Sequence, residues 1–446
     1  MPRSTRRIRD RLTGETPLLR TFRNTGWLLI SKILGAVLSL IYLAMAARGL
    51  HAAGFGAFAL ILGLAQGMAA LVGFQSWRIV LRWGTEPLLA GRTGQVSALL
   101  WFCGILDLVA AIAGCAITVV LVRFLAPHFG WSRSTADHAI LFAFVLLLTV
   151  RSTAVGALRL HDRFRDGALA DTATPVFRMI GALAAVFAGA SVDGFLCAWA
   201  AAEIATAAAY WGLVWYRVRP VTAGLRPADI AGVPRAYGGF WRFALFTNLN
   251  SSLASASQQV ALLAVGYSAG AVSAGYFRLA HQLGQALLIL AEMLSRSLYA
   301  EMARVSASRS QGAMATLLDR TNKAALFGGI AVFAVVAILG RPALHLIGGA
   351  AYLPAYPALV ILGAAAAVQL IGVSFEPALM ALGRTGTLLA VRAAALLCLA
   401  GLLALLLPRI GIIGAALAML VDAIVAVALL GAFTRRTAAM AEAPSP

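Results

Sequence analysis

The sequence of 446 residues predicts an all-α integral membrane protein with about twelve transmembrane helices in two six-helix lobes. The first observation is composition: 61% of the residues are hydrophobic and 12% are charged, whereas a soluble domain carries about 25% charged residues. The second is that apolar stretches of roughly 20 residues, long enough to cross a hydrocarbon core of about 30 Å, recur along the chain. The third is that the basic residues collect in alternate loops.

Charged or Gly- and Pro-rich breaks separate the apolar stretches. The predicted spans are 25–47, 54–76, 96–122, 138–158, 172–190, 194–216, 241–266, 270–296, 323–347, 354–380, 385–407 and 411–433. The corresponding organisation is a basic tail (1–24), a first lobe (25–216), a linker (217–240), a second lobe (241–433) and a second tail (434–446).

The charge distribution predicts that both termini are cytoplasmic. The chain holds 36 Lys and Arg against 17 Asp and Glu, a formal charge of +19, and cytoplasmic loops retain more basic residues than translocated loops do. With the N-terminus inside, the tails and cytoplasmic loops hold most of these residues, and the external loops hold Arg48, Arg123, Arg133, Arg341 and Arg409. Basic residues that border apolar spans favour a membrane surface over nucleic acid, which is not expected as a partner.

The two lobes are predicted to be repeats of each other. The segment Gly49–Leu60 recurs loosely as Ser268–Ala280, and Arg23 and Arg242 lie at comparable distances upstream of the two segments. Because each repeat holds an even number of spans, both would have the same orientation, and ligand sites in such folds lie between the halves.

A resemblance to a known family rests on two stretches of the first lobe, FRNTGWLLISK at Phe22–Lys32 and RGLHAAGFGAFAL at Arg48–Leu60. They resemble the Wzx-type polysaccharide flippases (O-antigen and exopolysaccharide transporters) of the multidrug/oligosaccharidyl-lipid/polysaccharide (MOP) exporter superfamily, which also contains the MATE transporters. The resemblance implies transport of undecaprenyl-diphosphate-linked oligosaccharide from the cytoplasmic to the periplasmic leaflet by alternating access, for cell-surface polysaccharide biosynthesis. It also implies a bacterial inner-membrane location, with a polysaccharide polymerase and other biosynthesis proteins as partners.

Basic residues inside the spans are the first candidates for the site, because guanidinium groups match the oxygens of a diphosphate. Arg242, Arg278, Arg178 and Lys32 are predicted to bind the substrate. Arg151 and Arg392 are weaker candidates, since each could reach an interface or form a structural ion pair.

Two polar stripes supply the sugar-binding candidates. Gln282 and Gln285 share a helix face with Arg278 and Glu292, and Asn248, Ser252, Ser255 and Gln259 form a similar stripe on the preceding span. Such a stripe is costly against lipid and is expected to face a water-filled cavity. The alternatives are a structural Arg–carboxylate pair for the first stripe and polar contacts that join helices for the second.

Glu292 and Asp422 are the candidates for a coupling ion, because carboxylates within membrane spans often bind H⁺ or Na⁺ in transporters. Asp107 and Glu203 are further carboxylates within spans. For each of the four, an ion pair is the alternative.

No metal, cofactor or enzymatic activity is expected. The sequence contains no Walker A motif, no His-Glu-x-x-His motif and no paired Cys motif. Two functional alternatives remain: an ion-coupled multidrug exporter of the same superfamily, and a membrane enzyme such as an O-antigen polymerase or ligase. The enzyme would usually carry a large external loop, whereas the longest predicted one surrounds Arg123–Asp137.

Overall fold

The computed structural model describes residues 17–220, 224–286, 313–381 and 384–442, and their side chains except at 17–33, 254, 313–320, 381, 385 and 437–442. Within these ranges the fold is helical, without strands. The α-helices are α1 (Pro17–Val72), α2 (Ser76–Leu89), α3 (Thr93–Leu125), α4 (Arg133–Leu148), α5 (Ser152–Leu160), α6 (Phe164–Phe187), α7 (Val192–Leu213), α8 (Pro227–Ala231), α9 (Val233–Ala236), α10 (Phe240–Ala286), α11 (Ala313–Gly348), α12 (Tyr356–Ile371), α13 (Phe375–Ala381) and α14 (Thr385–Glu442). A π-helical turn, Val214–Val218, follows α7, and a 3₁₀ helix, Ala350–Ala355, precedes α12.

Three of these helices are too long to cross a membrane once. The 56 residues of α1, 47 of α10 and 58 of α14 contain non-helical backbone at His51, at Gly270 and at Ile410–Gly411, respectively. Nine segments of the described chain are long and apolar enough to span a bilayer. Dividing the long helices at their breaks gives the twelve predicted crossings. We call the membrane side where α1 begins the tail face, and the side of its break at His51 the turn face.

Backbone geometry repeats between the two halves. His51 has φ 54° and ψ 179°, and Gly270, 219 positions later, has φ 79° and ψ 176°. Gly130 and Gly349 form a second pair at the same separation, with φ of 66° and 83°. The predicted parallel repeat therefore holds at the level of individual residues.

The halves meet closely at the turn face across this repeat. A Cβ atom at Gly56 would overlap the carbonyl oxygen of Ala271, and one at Gly275 would lie 2.8 Å from the carbonyl oxygen of Ala52. Because Gly275 follows Gly56 by 219 positions, and Ala271 follows Ala52 by the same number, the two contacts are equivalent. Glycine is required at both positions because the backbones leave no room for a side chain.

Buried aromatic rings pack between these contacts at the turn face and the interior of the first half. Trp199 packs edge-to-face with Tyr42 at 5.1 Å and with Phe58 at 5.2 Å between ring centroids, and Phe55 meets Tyr352 of the second half at 6.0 Å. All these side chains are at most 9% exposed. The rings separate the turn face from the interior described below.

Three predicted spans differ from the structure. The span predicted at 138–158 is interrupted at Thr149–Arg151, between α4 and α5, and the span predicted at 354–380 is interrupted at 372–374, between α12 and α13. The span predicted at 54–76 ends at Val72, and a separate helix, α2, starts at Ser76. Each interruption is only three residues long, so hydropathy averaged over a whole span does not locate it.

Candidate functional site

A polar cavity of about 520 Å³ lies inside the first half, on its tail-face side. We call the parts of a long helix before and after its break its first and second arms. The cavity is surrounded by the second arm of α1, the segment between α4 and α5, and helices α3, α6 and α7. Its polar lining consists of Gln66, Gln75, Asp107, Thr149, Arg151, Ser152, Arg178 and Glu203. Ionisable groups at membrane depth each cost about 2.5 kcal/mol or more and usually face a bundle interior or a water-filled path. This cavity is therefore the candidate site.

The interruption between α4 and α5 brings polar backbone into the cavity wall. The Trp211 indole donates a hydrogen bond to the carbonyl oxygen of Val150 at 2.7 Å. Asp107 accepts hydrogen bonds from the Thr153 backbone N–H at 3.2 Å and from the Thr153 hydroxyl at 2.7 Å, so it caps the start of α5. The hydroxyl of Ser76, at the start of α2, also donates to Asp107. Asp107 thus caps the N-terminus of α5 and holds the side chain of the first residue of α2, which is a structural role.

Glu203 lies between two arginines. Its Oε2 is 2.7 Å from Nη1 of Arg151 and its Oε1 is 2.7 Å from Nη2 of Arg178. The side chain of Glu203 is 4% exposed and that of Arg178 is 14% exposed. One carboxylate therefore balances two guanidinium groups, and the cluster keeps one positive charge. The ion-pair alternative for Glu203 is confirmed.

Arg178 remains able to bind a further acceptor. Its guanidinium carbon lies 5.5 Å from the centroid of the Trp199 ring, an arrangement that adds a cation–π contact. Its Nε is buried and has no hydrogen-bond partner among the described residues. A ligand oxygen that reached this atom would satisfy a donor that the protein leaves unpaired.

Arg278 brings the second half to the same charge cluster. Its guanidinium is close enough to that of Arg178 for the two to repel, and it also lies near the Tyr42 hydroxyl. The half-buried Arg278 forms no hydrogen bond or ion pair with any other described residue. Arg178 already shares Glu203 with Arg151, so the further positive charge of Arg278 beside it favours an anionic ligand between the halves.

The other polar residues of the predicted stripe on α10 follow Arg278. Gln282 and Gln285 are half-buried, and the amide nitrogen of Gln285 lies 3.5 Å from Nε2 of His281. His281 itself is 7% exposed and stacks on Phe277 with 6.1 Å between centroids. The sequence analysis did not select His281, although it lies one turn from Arg278 on the same face.

The stripe on the first arm of α10 contains both free and engaged groups. The hydroxyl of Ser252 donates to the carbonyl oxygen of Ala70, in the other half, at 2.6 Å. The Nε2 of Gln259 is 3.5 Å from Oε1 of Gln66, while Gln259 Oε1 and Asn248 Oδ1 are buried without partners among the described residues. Ser252 therefore joins helices, and the two amides retain acceptors for a ligand.

The remaining candidates are more dispersed. Arg242 is exposed at the tail-face start of α10, 6.0 Å from the ring of Phe246. Asp422, on the second arm of α14, is half-buried, and its Oδ1 has no hydrogen-bond partner in the described chain. Lys32 lies in α1, but its side chain is outside the described set, and Glu292 lies outside the described residues altogether.

The described part of the second half repeats contacts of the first. Arg392 is 2.6 Å from Glu376 and also donates to the carbonyl oxygen of Asn250 at 2.9 Å. The hydroxyl of Ser374, before α13, donates to Asn322 of α11, as Ser76 and Thr153 donate to Asp107. Arg151 and Arg392, the two weaker candidates, both form ion pairs.

Sequence reasoning ranked Arg151 low and missed four other polar residues of the cavity lining: Gln66, Gln75, Thr149 and Ser152. A signal was present in Val150–Thr153, where a basic residue and two hydroxyl residues interrupt an apolar run. Within the described ranges, no group of three or more His, Cys, Asp or Glu side chains is placed to hold a metal ion.

A family model described as "Polysaccharide biosynthesis protein" matches residues 21–304, which is more than half of the chain. The inner membrane protein YghQ of Escherichia coli (strain K12) is 27% identical over 344 residues, covering 75% of this chain and 94% of the relative.

Two solved structures share the fold over nearly the whole chain. The inward-facing conformation of a multidrug resistance MATE family transporter of the MOP superfamily superimposes with a TM-score of 0.68 at 15% identity, covering 94% of this chain and 96% of the other. The lipid II flippase MurJ, in an inward closed conformation, gives a TM-score of 0.67 at 15% identity, covering 93% of this chain and 89% of the other. These likenesses show the fold, and with the family match they confirm the resemblance drawn from the sequence.

Proposed function

Because the chain belongs to the polysaccharide biosynthesis protein family, we propose that it flips undecaprenyl-diphosphate-linked oligosaccharide from the cytoplasmic to the periplasmic leaflet of the bacterial inner membrane. The observation that carries the proposal is the surplus of guanidinium groups. Among the described residues, Arg151 and Arg178 bind Glu203, and Arg278 lies near Arg178. Asp107 is the other carboxylate of the cavity lining, so three guanidinium groups stand against two carboxylates.

A diphosphate fits this surplus better than a neutral or cationic ligand. Its negative charges would balance the positive charge left on the Glu203 cluster and on Arg278, and its oxygens would accept hydrogen bonds from forked guanidinium groups. The unpaired Nε of Arg178 offers one such donor. Each charged hydrogen bond contributes about 1.5–3 kcal/mol net of the dehydration of its partners, so several of them would favour the headgroup in the cavity.

Amide groups near the charge cluster suit the sugars. Gln66 and Gln75 line the cavity, and Gln282 and Gln285 continue the face of α10 that carries Arg278. Amides donate and accept, as sugar hydroxyls do. The proposed substrate site therefore comprises Arg178, Arg278, Gln282, Gln285, Asn248 and Gln259 from the predicted set, together with Arg151 and Gln66; Arg242 and Lys32 are proposed as entrance residues.

The direction of transport follows from the charge pattern. The tail face carries the basic tails and loops, so it is cytoplasmic by the positive-inside rule. The cavity lies on that side, and the close Gly56 and Gly275 contacts lie on the opposite one. A lipid-linked headgroup made in the cytoplasm would thus meet the cavity first. The MurJ relative is named as a lipid II flippase and YghQ as an inner membrane protein, which agrees with this proposal.

The multidrug exporter remains the rival proposal. Arg178 and Arg278 argue against it, because the substrates of such exporters are often cationic and these groups would repel them. The coupling ion is part of the same proposal, with Asp422 and Glu292 as its candidates.

Deletion of the gene in its host separates these functions. We expect complete lipid-linked oligosaccharide to accumulate in the cytoplasmic leaflet while surface glycan disappears, and the wild-type chain to reverse both effects. Unchanged glycan with new drug sensitivity would contradict the proposal and favour the exporter. Translocated but unpolymerised units would favour a membrane enzyme instead.

A further inference from the structure

An apolar groove of about 280 Å³ opens beside the polar cavity, toward the lipid. Three tryptophans, Trp101 of α3, Trp211 of α7 and Trp215 of the π-helical turn, line it together with Gly104 and Ile105. Ile105 is 48% exposed and Trp215 is 51% exposed, so the groove is accessible from outside the helix bundle. A π-helical turn is rare and is frequent at functional sites.

The groove and the cavity share the interruption between α4 and α5. Val150 lines both spaces, with Leu148 and Thr153 on the groove side and Arg151 and Ser152 on the cavity side. The Trp211 hydrogen bond to the Val150 carbonyl holds this thin wall in place. An apolar space open to lipid therefore lies against a cationic space inside the protein, separated by non-helical backbone.

The equivalent interruption of the second half, between α12 and α13, is closely packed. There, a Cβ at Gly372 would lie 2.6 Å from a methyl carbon of Val427, and one at Gly431 would lie 3.1 Å from the Phe375 ring. Helix α14 thus packs directly against the interruption between α12 and α13. Because the repeated fold allows close packing at this point, the groove of the first half results from the side chains of that half and not from the fold.

Depth and size both indicate the part of a lipid that would occupy it. Gly104 is eleven residues into α3, or roughly 16 Å from the tail-face end of that helix, which is within the cytoplasmic leaflet under the proposed orientation. A volume of about 280 Å³ is below the range of about 300–1,000 Å³ of pockets that enclose whole small ligands. It suits a segment of a hydrocarbon chain.

The geometry points to a binding groove for the polyisoprenoid tail of the substrate, formed by α3, α5, α7 and the π-helical turn, while the diphosphate occupies the adjoining cavity. This inference rests on the proposed function, since it assigns the tail of the same lipid-linked oligosaccharide. Before translocation the tail lies in this groove and the headgroup lies in the cavity beside it, and flipping then moves both to the opposite leaflet.

Filling the groove tests the inference. In Gly104→Phe the new ring enters the groove, where a Cβ meets only the Trp211 ring at 3.9 Å. Gly212→Phe is the matched control, because no atom lies within 4 Å of a Cβ there and Gly212 does not line the groove. The full chain is placed in vesicles with undecaprenyl-diphosphate-linked oligosaccharide from the deletion host. Translocation is followed by cleavage of the glycan with an enzyme that cannot cross the bilayer.

We expect Gly104→Phe to slow translocation at least tenfold and Gly212→Phe to change it less than twofold. A synthetic substrate with the same glycan and a tail of only two isoprene units should move equally fast in wild type and Gly104→Phe. The inference would be overturned if wild type and Gly104→Phe moved the long-tail substrate equally fast, or if Gly104→Phe slowed both substrates equally. In either case, translocation by wild type would still support the function. No translocation by the wild-type chain would overturn the function itself.

Photocrosslinking gives a second measurement that does not depend on how Gly104→Phe folds. A benzophenone amino acid in place of Trp215 should capture radiolabelled undecaprenyl diphosphate at least fivefold more than the same residue in place of Ile112, which is 56% exposed farther along α3. Excess unlabelled undecaprenyl diphosphate should abolish the difference. Equal capture at both positions, or competition by ordinary phosphatidylethanolamine, would overturn the inference.

Discussion

Arg48 and Tyr267 occupy equivalent positions of the two repeats, 219 residues apart, and each contacts the other half of the molecule at the turn face. Arg48 Nη2 donates to the carbonyl oxygen of Leu346 at 2.6 Å, and Nε donates to that of Ile347 at 3.3 Å. Tyr267 stacks on His128 with 4.7 Å between centroids. Since Ile347 follows His128 by 219 positions, the two contacts are related by the repeat although their chemistry differs.

These contacts should stabilise the state that is closed at the turn face. A cation on the last carbonyls of a helix contributes about 1 kcal/mol, which is roughly fivefold in a two-state equilibrium. We expect Arg48→Ala to increase, by about that factor, the labelling of a cysteine introduced at Ala274 by an impermeant maleimide from the periplasmic side. Arg409→Ala, an exposed charge on the same face, is the control. Unchanged labelling in Arg48→Ala would show that this contact does not hold the halves together.

Glu203 should stabilise the fold as well as balance the charge of Arg151 and Arg178. Removing one partner of a buried ion pair costs about 3–5 kcal/mol, whereas exposed pairs contribute about 1 kcal/mol or less. Glu203 is 4% exposed and Glu376, which pairs with Arg392, is 36% exposed. Glu203→Gln should therefore lower the unfolding temperature in detergent far more than Glu376→Gln. Equal losses in the two variants would contradict the burial argument.

Replacing Arg278 should impair function without loss of stability, whereas replacing Arg178 should impair both. Arg278→Ala removes a charge with no partner among the described residues, so it should leave the unfolding temperature unchanged or raise it while translocation falls about 10- to 100-fold, the loss of one charged hydrogen bond to the substrate. Arg178→Ala should lower both quantities, because it also breaks the pair with Glu203. Full surface glycan in the double variant Arg242→Ala, Arg278→Ala would refute the site assignment.

The positive φ at His51 gives a prediction about folding. The repeat places Gly270 at the equivalent position, and backbone with positive φ and ψ near 180° is adopted almost exclusively by glycine, with a cost of about 1–3 kcal/mol for other residues. His51→Gly should therefore keep or raise the unfolding temperature, and Gly270→His should lower it. Thermal unfolding of the two variants in the same detergent tests this prediction. A lower unfolding temperature for His51→Gly than for wild type would contradict it.

Sequence reasoning reached the crossings and the repeat, because hydrocarbon thickness and the Gly49–Leu60 motif are local signals. It did not reach the breaks at Thr149–Arg151 and 372–374. Their backbone groups are satisfied by distant residues such as Trp211, which no local pattern reveals.

The same reason explains the ranking of the arginines. Arg278 and Arg178 stood out as charges within spans, but Arg151 depends on Glu203, 52 positions away, and was ranked low. Arg242 lies within a predicted span, yet the helix begins only two residues earlier, at Phe240, which leaves its side chain exposed. A contact between helices decides the case of Arg151, and a helix boundary decides that of Arg242.

The central claim is that a cationic interior carries a diphosphate-linked glycan across the membrane, and translocation by the purified chain in vesicles tests it most directly. Wild type should expose undecaprenyl-diphosphate-linked oligosaccharide to an impermeant glycan-cleaving enzyme, Arg409→Ala should match wild type, and Arg278→Ala should be at least tenfold slower. Translocation by Arg278→Ala at the wild-type rate would contradict the assigned site, and its absence in wild type would contradict the function.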